Sequence, residues 1–156
     1  MKKAAHGIYI CEEMLVDEMY LLQSQFSKAI YSHEAALYLH GLMESEPAPL
    51  SVTVSSEYNS GGLRRKGVKV YYTKKEWYDL GVTDMISFGG NHIMVYDLER
   101  TICDIVRRCD DMDVAVFNYA VREYVKRKDK DYAKLSRYAA ALRIERKIRE
   151  RMGVLF

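Results

Sequence analysis

With 156 residues, 49% of them hydrophobic, only two prolines and a formal charge of +2, the chain has the composition of one globular domain. Disorder and collagen-like structure are excluded, the charge is too small to make non-specific nucleic-acid or membrane binding the default, and no apolar run approaches the roughly 18 residues of a membrane span. Three cysteines, Cys11, Cys103 and Cys109, with no CxxC spacing, argue against a zinc or disulfide framework and fit a reducing cytoplasm.

The start of the chain is basic, but Glu12 and Glu13 precede any long apolar region, unlike a signal peptide. Residues 7–11 are β-prone and begin abruptly, like the end of a hairpin. In residues 17–26 the apolar side chains at 19, 22 and 26 have helical spacing, and Asp17 is placed to cap them. Ser32, as N-cap, and Glu34, in the first turn, open a second helix that Gly41 closes. After a loop at residues 44–49 the period becomes two over residues 50–55, residues 59–62 form a turn cluster, and residues 68–73 form the next strand. Residues 77–81 read as a short helical turn or loop, and residues 84–88 and 92–96 as a hairpin around 89–91. From Asp97 onward the pattern is helical. Asp97 caps a helix to residue 108, Asp111 or Asp113 one to about residue 126, Asp129 or Asp131 one to about residue 142, and a last piece covers residues 143–151. The expected fold is α+β: a small mixed sheet of about four strands within residues 50–96, two helices before it, and a helical C-terminal part with short loops.

Catalytic templates mostly fail. No Walker A loop, GxGxxG or GxSxG occurs, and His33-Glu34 with His40 is not HExxH, because the two imidazoles are seven residues apart, too far along a helix for one zinc. His33 reads as a first-turn hydrogen-bonding or packing group, His40 as a partner of a helix C-terminus, and Cys103, among Ile102, Ile105 and Val106, as a buried small hydrophobe. Asp97, Glu99 and Asp104 invite comparison with a magnesium site, yet they cluster at one helix start, where capping and the dipole account for Asp97 and Glu99. Arg100 and Asp104 have the i, i+4 spacing of an intrahelical pair. The helix, glycine and strand of residues 32–55 copy the order seen in nucleotidyltransferases, but the alternate strand residues are Ser51, Thr53 and Ser55, or Val52 and Val54, and none is a carboxylate. No catalytic, cofactor-binding or metal-ligating residue is therefore expected. Charge is polarised: residues 122–151 hold 12 Lys or Arg against 5 Asp or Glu, a local net of +7 that leaves −5 for residues 1–121. Such an end can meet phosphate, an acidic partner surface, or only solvent.

Several strings together resemble one family. They are Gly7-Ile-Tyr, Leu22-Gln23, AIYSHEAALYLHGL from Ala29 to Leu42, Val52-Thr53-Val54 with Tyr58-Asn59, and above all VYDLERTICDI from Val95 to Ile105. They resemble the AbiEi-type antitoxin and predicted viral-defence transcriptional regulator family. YVKRKDKD from Tyr124 to Asp131, with Leu135 and Tyr138-Ala139, is similar to that family's closing helices. Members usually join an N-terminal winged helix-turn-helix to a C-terminal antitoxin domain, and Gly-Ile-Tyr lies at the junction. The resemblance therefore implies that residues 1–12 are a remnant of the wing and junction and residues 13–156 an antitoxin-type α+β domain. It implies a non-catalytic component of a type IV toxin–antitoxin, or abortive infection, system whose partner is a nucleotidyltransferase toxin, countered without a stable complex being required. Operator DNA would be a partner only with the winged domain present. The other class of function is a nucleic-acid-associated enzyme, either a nuclease or a degenerate nucleotidyltransferase-like protein. The candidate functional surface comprises Ser32, His33 and Glu34, then Tyr96, Glu99, Arg100 and Asp104, and the basic cluster Lys126, Arg127, Lys128 and Lys130. Arg100 is expected to brace the structure through Glu99 or Asp104, and the basic cluster to attract RNA or an acidic surface.

Overall fold

The computed structural model describes residues 17–153. The β-prone segment at residues 7–11, the junction segment 1–12 and Cys11 lie outside the described residues. Helix α1 (Glu18–Gln25) starts where expected, with Asp17 accepting from the Tyr20 N–H at 3.3 Å. A two-residue strand, β1 (Ile30–Tyr31), leads into α2 (His33–Leu39). Gly41, at φ +78°, ends that helix in a left-handed turn: the Leu42 N–H reaches the Leu37 carbonyl at 2.8 Å and the Gly41 N–H reaches that of Tyr38 at 3.1 Å. Strand β2 (Ser51–Ser55) follows, then α3 (Gly61–Arg65), β3 (Lys69–Thr73), a 3₁₀ turn (Lys75–Trp77), and the antiparallel hairpin of β4 (Val82–Ile86) and β5 (His92–Tyr96). Helix α4 (Leu98–Arg107), a 3₁₀ turn (Cys109–Asp111), α5 (Val114–Lys126), α6 (Tyr132–Ala141) and α7 (Glu145–Met152) complete the chain.

The α+β class holds, but the sheet has five strands rather than four, in the order β3-β2-β1-β5-β4. The additional strand is the central one. Tyr31 faces Val52 of β2 in an antiparallel pair and Val95 of β5 in a parallel pair. Two residues carry no period, so nothing local marks them as a strand. The turn cluster at residues 59–62 is corrected too, because it runs into helix α3. Its glycines, poor helix formers, hide that turn, and Gly62 is there for space: a Cβ would stand 2.7 Å from the Phe26 ring.

Two apolar cores lie either side of α2. Ala35 and Ala36 face a cluster with Met19, Tyr31, Val52, Val54 and Val95, whereas Leu37 joins Ile102, Ile105, Tyr124, Leu135 and Ile148. Helix α4 is buried from Leu98 to Val106 and packs against α2, α6 and α7. The expected inward packing of Ile102, Ile105 and Val106 is observed. Among the described residues no helix is long and apolar enough to cross a membrane.

Candidate functional site

The start of α4 is built from charges. Asp97 accepts from the Arg100 N–H at 2.9 Å with Oδ1, while its Oδ2 takes the Tyr138 hydroxyl at 2.7 Å and lies 3.6 Å from Lys134 Nζ. Glu99 does not meet Arg100. Its Oε2 accepts from the Tyr124 hydroxyl at 3.0 Å and from the Asp131 N–H at 2.9 Å, tying α4 to the α5–α6 connection. Arg100 is only 1% exposed. Its Nε donates to Asp104 Oδ1 at 3.0 Å, its Nη1 donates to the carbonyls of Trp77 and Leu80 at 2.7 and 2.6 Å, and its guanidinium lies 4.2 Å from the Tyr96 ring centre. Of the two braces expected for Arg100, the structure therefore uses Asp104. Gly81 makes this approach possible: its φ is +83°, and a Cβ there would sit 2.7 Å from Arg100 Cβ. Tyr96 closes the seam, donating its hydroxyl to the Tyr78 carbonyl at 2.6 Å.

The start of α2 is built from neutral groups. Ser32 occupies the N-cap position, yet its side chain makes no capping bond. The cap comes instead from Ser51 on β2, which accepts from the Ala35 N–H at 3.0 Å and donates to the Ser32 carbonyl at 2.6 Å. The Ser32 hydroxyl is turned the other way, taking a bond from Thr53 at 2.7 Å and lying 2.8 Å from His33 Nδ1. His33 adopts φ +54° and stacks on Tyr71 with centroids 3.6 Å apart. Burial, and then the charges of Arg108, Arg100 and Lys69, hold it well below the usual histidine range. Glu34 takes a long bond of 3.4 Å from the Tyr71 hydroxyl. His40, expected as a partner of a helix C-terminus, is the C-cap of α2; burial holds its pKa below the usual range, and it donates Nε2–H to the Tyr96 carbonyl at 2.9 Å. Cys103 is fully buried, which pushes its thiol up.

Between these two helix starts lies a cavity of about 140 Å³, lined by His33 and Thr53 on one side and by Arg100, Asp104 and Arg107 of α4 and its C-cap Arg108 on the other. Tyr71, Lys74 and Trp77 also contribute to its wall. Arg107 lies 5.0 Å from the Trp77 ring centre and donates to the Leu142 carbonyl, and Arg108 lies 5.3 Å from the ring centre of Tyr71. One oxygen of Asp104, Oδ2, is buried with no hydrogen-bond partner among the described residues. Burial pushes the Asp104 carboxyl up, against the pull of Arg100. Sequence reasoning identified His33, Arg100 and Asp104 but missed Tyr71, Trp77, Arg107 and Arg108. The two arginines were findable, since they stand three and four positions beyond Asp104 on the same helical strip.

The basic cluster is not one free surface. Arg127 clamps Asp129 through two bonds of 2.9 Å and donates to the His40 carbonyl, while Lys130 donates to the Arg127 carbonyl at 2.9 Å. These two cations build the α5–α6 connection. Lys126, 3.1 Å from Glu123, and Lys128 are exposed. None of the four lines the cavity. Among the described residues no three His, Cys, Asp or Glu side chains gather as a metal-holding group. No family model matches the chain, and no curated protein matches it.

Proposed function

We propose that the chain is a non-catalytic antitoxin domain of the type IV toxin–antitoxin kind, which counters a nucleotidyltransferase toxin in the cytoplasm as part of abortive infection. The observation that supports this reading is the meeting of its two most specific strings at one cavity. His33 comes from SHEAALYLHGL, Arg100 and Asp104 come from YDLERTICDI, and all three line the same space. Two strings that carry a resemblance and converge in space indicate a shared site rather than two unrelated helix motifs. Asp97 and Glu99 serve caps and cross-links instead of converging on an open position, which favours a role without bond-making chemistry. Operator DNA belongs to this reading only for proteins that also carry a winged helix-turn-helix.

The test is co-expression with a nucleotidyltransferase toxin of the type IV kind. Growth restored by the domain is the expected result, together with no labelled product when the purified domain is incubated with tRNA, nucleotides and magnesium. A folded domain that fails to restore growth overturns the antitoxin reading. Product that disappears in Asp104→Asn makes the domain a nucleic-acid-associated enzyme instead.

A further inference from the structure

We infer that the cavity between α4 and β3 is a binding site for a nucleoside phosphate, its phosphate held by Arg107 and Arg108 and its base donating a hydrogen bond to Asp104. This goes beyond the antitoxin reading and does not rest on it, because it concerns what the fold holds rather than what the domain opposes.

Three observations carry it. The first is charge. Lys74, Arg100, Arg107 and Arg108 line the cavity against the single carboxylate of Asp104. That carboxylate is matched to Arg100 at 3.0 Å, and among the described residues Lys74, Arg107 and Arg108 form no ion pair. A neutral His33 adds no further charge, so the complement of this wall is an anion with room for more than one contact.

The second observation has the opposite sign. Asp104 is 7% exposed, and its Oδ2 has no hydrogen-bond partner among the described residues. A buried acceptor left unmet is costly, so the occupant that completes the site brings an N–H donor. A bare inorganic anion offers this oxygen mainly repulsion. Negative charge and a donor must therefore sit on one molecule.

The third is shape and surface. Tyr71 and Trp77 put rings in the wall, Tyr71 stacked on His33 and Trp77 beneath Lys74 and Arg107, and about 140 Å³ is room for one nucleobase, with sugar and phosphate reaching toward the half-buried Arg107 and Arg108. A nucleobase supplies the planar ring and the donor edge, and its phosphate supplies the charge.

The experiment is calorimetric titration of the purified domain with AMP, CMP, GMP and UMP, with inorganic phosphate and the parent nucleosides as separate arms. At least one nucleotide is expected to bind about tenfold or more tightly than phosphate or its own nucleoside. Asp104→Asn, verified as folded by circular dichroism, should weaken nucleotide binding about tenfold while strengthening phosphate binding, whose repulsion it removes. Arg108→Gln, at a partly exposed position, should weaken both nucleotide and phosphate binding, and it keeps the test decisive if the Asp104 variant unfolds. Equal affinity for phosphate and nucleotides would reduce the site to an anion site and overturn the proposal. It is overturned equally by nucleotide binding that Arg108→Gln does not alter, by binding of oligonucleotides alone, or by no binding at millimolar concentration.

Discussion

Two helices of this domain begin in the same neighbourhood by opposite means. Helix α4 is capped by its own Asp97 and surrounds its first turns with buried charges: Glu99 reaches Tyr124 of α5, Arg100 reaches the Trp77 and Leu80 carbonyls, and Asp104 pairs with Arg100 within the helix. Helix α2 is capped by Ser51, a hydroxyl from a strand 16 residues downstream of the amide it satisfies, and its network of Ser32, Thr53 and His33 carries no charge. The contrast separates two ways of attaching a helix. A buried ion pair contributes little net stability but is severe to break, since the surviving partner is left desolvated. A neutral hydroxyl chain contributes modestly and is modestly missed.

The contrast breaks down first at Arg100. Arg100→Ala leaves the buried Asp104 without its cation and removes the bonds to the Trp77 and Leu80 carbonyls, so urea unfolding should show a loss of about 3–5 kcal/mol; a near-native midpoint would mean that the charged network is ornamental. Ile102, fully buried on the same helix, calibrates the apolar share: Ile102→Ala should cost about 2–5 kcal/mol, and unaltered thermal stability would remove α4 from the core. The neutral side is tested by Ser51→Ala, which deletes one cap and one donated bond and should cost about 1–2 kcal/mol in the same assay.

The two networks also respond differently to acid. His33 and His40 both have folded pKa values below the ordinary 6.5. Below pH 6.5 the unfolded chain therefore binds protons that the fold refuses, and stability falls as pH falls. Each histidine contributes a slope of up to about 1.4 kcal/mol per pH unit. Asp104, whose carboxyl is pushed up, works in the other direction and favours the fold as pH drops. The readout is thus the difference between wild type and His33→Asn, chosen because Asn tolerates a left-handed backbone. The variant's stability profile from pH 7 to 5 should be flatter, and identical slopes would show that His33 is protonated within the fold.

The smallest effect on stability belongs to the exposed lysines. Lys126→Glu with Lys128→Glu should move stability by no more than about 0.5 kcal/mol, yet weaken growth rescue if the surface attracts RNA or an acidic partner. Arg127 is left out of that pair because it holds the His40 carbonyl. Full rescue by the reversed protein would take these lysines out of the mechanism and leave the cavity as the site to pursue.

How much was legible follows the range of each interaction. Asp17, Gly41 and Asp97 act within a few residues of themselves, so their caps could be read directly from the chain, and the same local signal narrowed the next two helix starts to Asp111 or Asp113 and Asp129 or Asp131, of which the structure uses Asp113 and Asp131. Ser32 could not, because the hydroxyl that satisfies the helix belongs to β2 and the Ser32 side chain is committed elsewhere. Arg100 and Asp104 were visible as an i, i+4 pair, but the carbonyls of Trp77 and Leu80 that complete the brace have no sequence signature. Counting positive charge at residues 126–130 found the basic cluster, while the count is blind to whether a cation faces solvent or a carbonyl, as Arg127 and Lys130 do. Tyr71 and Trp77 read only as strand and turn residues, and their role as cavity wall arises when β3 is laid beside α4.

The brevity of β1 shapes how the chain assembles during synthesis. Ile30 and Tyr31 leave the ribosome well before their parallel neighbour Val95, which is made more than sixty residues later. Until then the central position of the sheet has a partner on one side only, through Thr53 and Val52. The β4–β5 hairpin closes locally, whereas joining it to β2 and β3 waits for a two-residue bridge to be clasped from both flanks. Completion of the sheet therefore waits for β5 and joins β1 to a strand made much later, and α4, which follows β5 directly, is delivered to its place at the same moment.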